Sequence, residues 1–335
     1  MPIADSIAAE LLRNAGYDPD NAEWRPLPGG GNNRLYRIGV GNTSLVMKQY
    51  VGIGTTPNDR FNREWDFLDV LCDAGITGIP RPVACDPAAC CALYSVLPGI
   101  PFETTAAPDV ADIEAAARFF AAINTPAVRR MAESLGPAAD ACFSLDEQLS
   151  LTETRLCRLA DTAGEARNLC DDLNAVWPEL RDRTRRAWGD AGLDPASTLP
   201  IEDRYLSPSD FGFHNALKNG RNIGFVDFEY AGWDDPAKTL CDFFLQPEYP
   251  VDSAHENLFV GTAFPDAAVA KHLRLRARIM RPQFIARWCC IVLNPFLSEW
   301  VENHGYTEDD PALIALREIR LARATAFRDN LIDSR

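Results

Sequence analysis

The chain has 335 residues, 47% of them hydrophobic, and a formal net charge of −15. A chain of this length can bury a large core and is expected to form two lobes or domains. Its acidity argues against a nucleic-acid partner, because phosphate backbones are bound through clustered Lys and Arg. The opening Met1-Pro-Ile-Ala-Asp-Ser6 carries an early acid and no basic start with an apolar core, and no apolar run approaches a membrane span. A cytoplasmic protein without a membrane partner is expected.

The first element is a helix over about Ala4 to Ala15, stopped by Gly16 with Asp18-Pro19 beyond. Trp24 to Tyr50 forms strands around a glycine-rich turn. Within it, Leu27-Pro-Gly-Gly-Gly-Asn-Asn-Arg-Leu-Tyr-Arg-Ile38 puts Gly29, Gly30 and Gly31 between two extended stretches, with Asn33 just beyond. Glycines there let the backbone approach phosphate oxygens, since no Cβ stands in the way. The strand Ser44-Leu-Val-Met-Lys-Gln-Tyr50 follows with Lys48 inside it, and a helix over 58–73 carries Glu64. In kinases a Lys on this strand contacts the α and β phosphates and is held by a helix Glu. The nucleotide-binding candidates are therefore Lys48, Glu64, the three glycines and Asn33. Two more strands, Pro80 to Asp86 and Cys90 to Gly99, complete a first lobe of residues 1–99.

Residues 100–335 read as a second lobe, mostly helical. Val110, Ile113, Ala117, Phe120 and Ala121 recur at helical spacing, as do Leu145, Leu149, Thr152, Leu156 and Leu159. Asp161 to Asp172 reads as a polar, frayed connection. Arg204 to Tyr230 is a loop and hairpin insert, and Leu273 to Val301 a further helix whose Trp288, Ile291, Val292, Phe296 and Trp300 form a core stripe. The ten cysteines contain no C-x-x-C pair and the four histidines are scattered, so reduced, buried thiols and no structural metal are expected.

The insert carries the chemistry. Leu206-Ser-Pro-Ser-Asp-Phe-Gly-Phe-His-Asn-Ala-Leu217 holds Asp210 and Asn215, and Ile223-Gly-Phe-Val-Asp-Phe-Glu229 delivers Asp227 from the end of a short apolar stretch. Taken singly, each is ordinary turn chemistry. Together, and after a nucleotide-binding half in the right order, they supply what phosphoryl transfer needs. One carboxylate orients the acceptor hydroxyl, and an amide oxygen plus a second carboxylate hold Mg²⁺ on the phosphates. His214 reads as structural, because Asp210 already takes the base position.

With both halves read, the chain resembles the aminoglycoside phosphotransferase and choline kinase family from about Trp24 to Phe244. Ser209-Asp210 to Asn215 matches the family's His-Gly-Asp-x-x-x-x-Asn loop, and Val226-Asp-Phe-Glu-Tyr-Ala-Gly-Trp-Asp-Asp-Pro236 its metal segment. The resemblance implies an α+β, protein-kinase-like bilobal fold, with a small antiparallel-sheet N-lobe and a larger, mainly helical C-lobe. It also implies ATP as donor and Mg²⁺ as cofactor. In that frame Asp210 is the catalytic base, Asn215 and Asp227 are the Mg²⁺ ligands, Lys48 contacts phosphate and Glu64 orients Lys48. Backbone groups of Ser95 to Leu97 meet the adenine. The partner is a small-molecule hydroxyl acceptor, with a sugar or an amino-sugar-like alcohol preferred.

Three positions depart from the family: Pro208 replaces its His, Ser209 its Gly, and Thr239 a later Asp, with Asp242 three residues on. Pro208 is the best support for a rival reading, a nucleotide-binding pseudokinase that transfers nothing. Retention of Lys48, Glu64, Asp210, Asn215 and Asp227 together opposes it. Phosphorylation of a protein is disfavoured, since no activation segment ends in Ala-Pro-Glu.

Overall fold

The computed structural model describes residues 4–27, 33–51, 57–102, 107–160, 162 and 164–333. By internal contacts it comprises two compact units, one of residues 1–139 with 206–233 and one of 140–205 with 234–335. The stretches 100–139 and 206–233 thus group with the first strands, and the first unit extends past the expected lobe boundary at residue 99.

In the first unit, helix α1 (Ala4–Asn14) ends where Gly16 turns to φ +81, and the Gly16 amide bonds the Arg13 carbonyl at 2.9 Å. Strands β1 (Ala22–Leu27), β2 (Asn33–Val40), β3 (Thr43–Tyr50), β4 (Pro82–Asp86) and β5 (Cys91–Ser95) form one antiparallel sheet in the order β1-β2-β3-β5-β4. Strand side chains alternate between faces. On β3, Leu45 and Met47 therefore join Ile38, Val40 and Leu93 in a core covered by Ala8, Leu11 and Leu12 of α1. Lys48 and Tyr50 fall on the opposite face, toward helix α2 (Pro57–Asp73). Helix α2 buries Phe61, Glu64, Phe67, Leu68 and Leu71, a helical spacing that includes one carboxylate within an apolar stripe.

Strand β6 (Ile100–Pro101) leads to α3 (Val110–Ile123), which starts with a capping box between Asp109 and Asp112, and to α4 (Pro126–Met131). Strand β7 (Tyr205–Ser207) precedes the Asp210 loop. The hairpin of β8 (Ala216–Asn219) and β9 (Asn222–Phe225) follows, with β10 (Gly232–Asp234) beyond it.

The second unit contains α5 (Leu145–Arg158), α6 (Arg167–Asp190), α7 (Pro236–Leu245), α8 (Glu256–Ala263), α9 (Ala267–Val292), α10 (Ser298–Asn303) and α11 (Pro311–Asp333). Helix α9 lies at its centre, packed against α5, α6, α7 and α11. It buries Gln283 and Arg287, which are bonded to Thr152 at 2.8 Å and Gln148 at 3.0 Å.

The single helix expected over 273–301 is broken. Pro295 has no amide hydrogen and restricts Asn294, so α9 stops at Val292 and a 3₁₀ turn over Asn294–Phe296 separates it from α10. The polar stretch 161–172, expected as a frayed connection, is helical from Arg167 onward. No helix of the described residues is long and apolar enough to cross a membrane.

Candidate active site

The register of β3 puts Lys48 beside Glu64 of α2. Lys48 Nζ lies 2.6 Å from Glu64 Oε2, 2.5 Å from Asp227 Oδ1 and 3.4 Å from Glu229 Oε2. Glu64 is fixed on both oxygens: Oε2 also accepts from the Tyr50 hydroxyl at 2.7 Å, and Oε1 accepts from the Phe228 amide at 3.2 Å. That last bond ties the strand Lys and helix Glu to the Asp227 segment. Glu229 accepts from Asn33 Nδ2 at 2.6 Å and pairs with Arg60 at 3.4 Å.

The charge balance favours a cation. Burial alone would lower the Lys48 pKa, but Asp227, Glu64 and Glu229 together raise it well above its ordinary value. Burial raises the Asp227 carboxyl to about 6; attraction to Lys48 offsets part of that, and repulsion from Glu229 and Glu64 adds to it. Glu229 is held below its usual value because Lys48, Asn33 and Arg60 outweigh its burial. Three carboxylates whose oxygens lie within 4.8 Å of one another therefore share two cationic side chains. Hard oxygen donors of this kind suit Mg²⁺.

Aromatic anchors position the loop. Phe211 and Phe213, which alternate with Gly212 and His214, are buried, with Phe211 4.9 Å from Phe225 and Phe213 4.9 Å from Phe102, centroid to centroid. Phe225 packs on Phe119 of α3 at 4.6 Å, and Phe228 on Phe67 of α2 at 5.5 Å. Asp210, His214 and Asn215, which flank these rings in sequence, are only partly buried. Asp210 Oδ1 lies 3.0 Å from His214 Nε2, while Asn215 Nδ2 donates to the Asp210 carbonyl at 3.0 Å and to Oδ2 at 3.2 Å. With that nitrogen committed, the amide oxygen is the end of Asn215 left for a cation. The Val226 amide bonds the Asn215 carbonyl at 2.9 Å, so the Asn215 and Asp227 segments are adjacent.

The departures in this loop have a local explanation. Ser209 adopts φ +67, where glycine carries no Cβ penalty. Its amide donates to Ser207 Oγ at 3.0 Å and its hydroxyl to the Ala139 carbonyl at 3.4 Å. The Pro208 carbonyl accepts from the Asp210 amide at 2.9 Å, so the turn is closed by the backbone.

Of the residues expected from sequence, Lys48, Glu64 and Asp227 converge, and Asp210 and Asn215 are bonded to each other. Asn33 reaches the site as a partner of Glu229. Gly29, Gly30 and Gly31 lie outside the described residues. The Ser95 amide is engaged by the Arg81 carbonyl and its hydroxyl by the Arg81 amide, both at 2.9 Å. Among the described residues no backbone hydrogen bond engages Val96 or Leu97. Sequence reasoning passed over Glu229, Arg60 and Tyr50. The signal for Glu229 was its place two residues after Asp227, in the same short segment beyond β9.

A strand lysine clamped by a helix glutamate, opposite an aspartate just beyond a separate hairpin, is the frame of a protein-kinase-like phosphotransferase. The phosphotransferase enzyme family (APH) matches residues 23–244, and the chain belongs to that family of small-molecule phosphotransferases. The fold agrees with solved structures of low identity. Choline kinase from Cryptosporidium parvum is 13% identical, with 98% of this chain and 96% of that one covered and a TM-score of 0.65. A choline/ethanolamine kinase family protein from Mesorhizobium loti is 18% identical, with 97% and 93% covered and a TM-score of 0.59. Spectinomycin phosphotransferase, solved with ADP and spectinomycin, is 14% identical, with 98% and 99% covered and a TM-score of 0.54. No curated protein matches the chain in sequence.

Proposed function

We propose that the chain transfers the terminal phosphoryl group of ATP to a hydroxyl of a small molecule, a sugar or an amino-sugar-like alcohol, in the cytoplasm. One observation carries this reading: a single ionic network joins Lys48 to Glu64 and Asp227, while Asp210 is braced by the neighbouring Asn215. Asn215 Oδ1 and the Asp227 carboxylate, with Glu229 beside it, would hold Mg²⁺. When bound, the ion neutralises charge on the β and γ phosphates. Lys48, released from Asp227 as nucleotide enters, contacts the phosphates and stays aligned by Glu64. Asp210 accepts the proton of the acceptor hydroxyl as that oxygen attacks phosphorus. The open backbone groups of Val96 and Leu97 receive the adenine edge.

The preference for an amino-sugar-like alcohol draws on a structural neighbour that acts on spectinomycin by its name. The ten cysteines, all free thiols, suit a reducing compartment. A binding module that transfers nothing is not supported, given membership of an enzyme family. Measuring ATP consumption against a panel of sugars, aminocyclitols and amino alcohols tests the reading. Turnover with a sugar or aminocyclitol is expected. Turnover confined to simple amino alcohols overturns the acceptor class, and none with any hydroxyl compound overturns the activity.

A further inference from the structure

A second concave site lies within the helical unit, in a cleft of about 750 Å³ between α7, α8 and α9. Its charged wall comes from one helix. Lys271, Arg274, Arg278 and Arg281 follow one another on α9 at steps of three, four and three, which places them on one face over about 15 Å. His272 lines the same cleft, and Glu256 of α8 is the one acid there. The floor is apolar, with Leu240 from α7 and Ala268, Leu275 and Ala277 from α9.

This wall is unusual in a chain of net charge −15. Like charges three and four apart on a helix repel, so such a stripe normally recruits carboxylates. Here Arg281 pairs with Glu256 at 3.2 Å and Arg274 reaches Asn257 at 3.5 Å, but no carboxylate among the described residues lies within ion-pairing distance of Lys271 or Arg278. The next arginine on the helix, Arg276, is turned inward and paired with Asp235, so inner-facing charge is neutralised while the cleft is left positive. Arginine forks match phosphate oxygens, and a cleft of this size suits a small molecule rather than an extended chain.

From the cleft, the charge and the apolar floor together, we infer that α9 carries a binding site for a small organic phosphate with an apolar body, separate from the nucleotide site. Every lining residue belongs to 240–281, whereas Lys48, Glu64, Asp210, Asn215 and Asp227 belong to the other unit. The site does not depend on the proposed acceptor or on turnover.

Calorimetric titration of the full chain with phenyl phosphate, in the presence of a saturating non-hydrolysable ATP analogue, tests this. Saturable binding is expected, tighter than for inorganic phosphate because the ring meets the floor. Lys271→Glu with Arg278→Glu is expected to weaken it at least about tenfold. Both side chains are exposed, so the thermal midpoint and affinity for the ATP analogue should stay near wild type. The pair Lys271→Gln with Arg278→Gln gives an intermediate loss and serves if charge reversal impairs folding. Equal affinity in wild type and both variants, or no saturable binding up to about 10 mM, overturns the site.

Discussion

Asp227 combines a left-handed backbone, φ +67, with a carboxyl raised to about 6 and 37% of its side-chain surface open. A Mg²⁺ ligand must be ionised, and protonation of the free enzyme competes with metal. Affinity for Mg·ATP is therefore expected to be full from about one unit above pH 6, to be halved near that value, and to fall by up to about tenfold per unit below it. Calorimetry from pH 5 to 8 checks the direction, and a flat profile overturns the raised Asp227 pKa. Asp210 gives a separable test. If it accepts the acceptor proton, Asp210→Asn loses roughly 10²–10⁴-fold in kcat with nucleotide affinity little changed. Near-normal turnover in that variant overturns the role. Ser209 shows how a departure from the family motif is accommodated: a side chain at positive φ costs about 1–2 kcal/mol, partly offset by its two local hydrogen bonds.

At the scale of elements, the Asp210 loop and the Asp227 hairpin are held by aromatic packing and by close backbone contact. Phe211, 2% exposed, touches both Phe119 and Phe225. Phe211→Ala is expected to cost about 3–5 kcal/mol in urea unfolding, because the cavity opens beneath both segments at once. Gly224 matters for the opposite reason, lack of space. A Cβ there would stand 2.6 Å from Leu97 Cδ2 and 2.8 Å from the Gly78 carbonyl oxygen. That carbonyl already accepts from the Phe225 amide at 2.8 Å and cannot withdraw without breaking the bond. Gly224→Ala is expected to destabilise by about 1–3 kcal/mol, measured by the same unfolding titration. Because Leu97 also belongs to the segment proposed to meet adenine, nucleotide affinity should weaken with it. Loss of stability with unchanged affinity would separate the two effects.

Across the whole molecule, the thiols report on packing. Cys91, Cys142, Cys170, Cys241, Cys289 and Cys290 are buried, and burial raises each of their pKa values, Cys91 and Cys290 to about 12. A thiol reacts as thiolate, so these six are expected to stay inert in the native protein. Cys157, the exposed one, should be the fast site for a disulfide reagent, with Cys72, Cys85 and Cys90 slower. All ten should react in denaturant. A native protein in which six or more thiols react rapidly would contradict the packing of both units.

Much of this molecule was readable from local order along the chain. Lys48 lies inside an alternating strand and Glu64 on the following helical segment, where the kinase pattern requires them, and Asp210, Asn215 and Asp227 lie within 18 residues. The helix expected over 273–301 failed for an equally local reason, Pro295, which hydrophobic spacing ignored. Only the tertiary structure could bring Asn33 to Glu229, residues 196 apart, or place Arg60 and Tyr50 on the same carboxylate network. Such contacts depend on how sheet, helix and hairpin meet, and a buried carboxylate accepts whichever donors that meeting presents. The same holds for the cleft on α9: its stripe of bases is written in the sequence, but whether acids from other helices neutralise it was decided by packing.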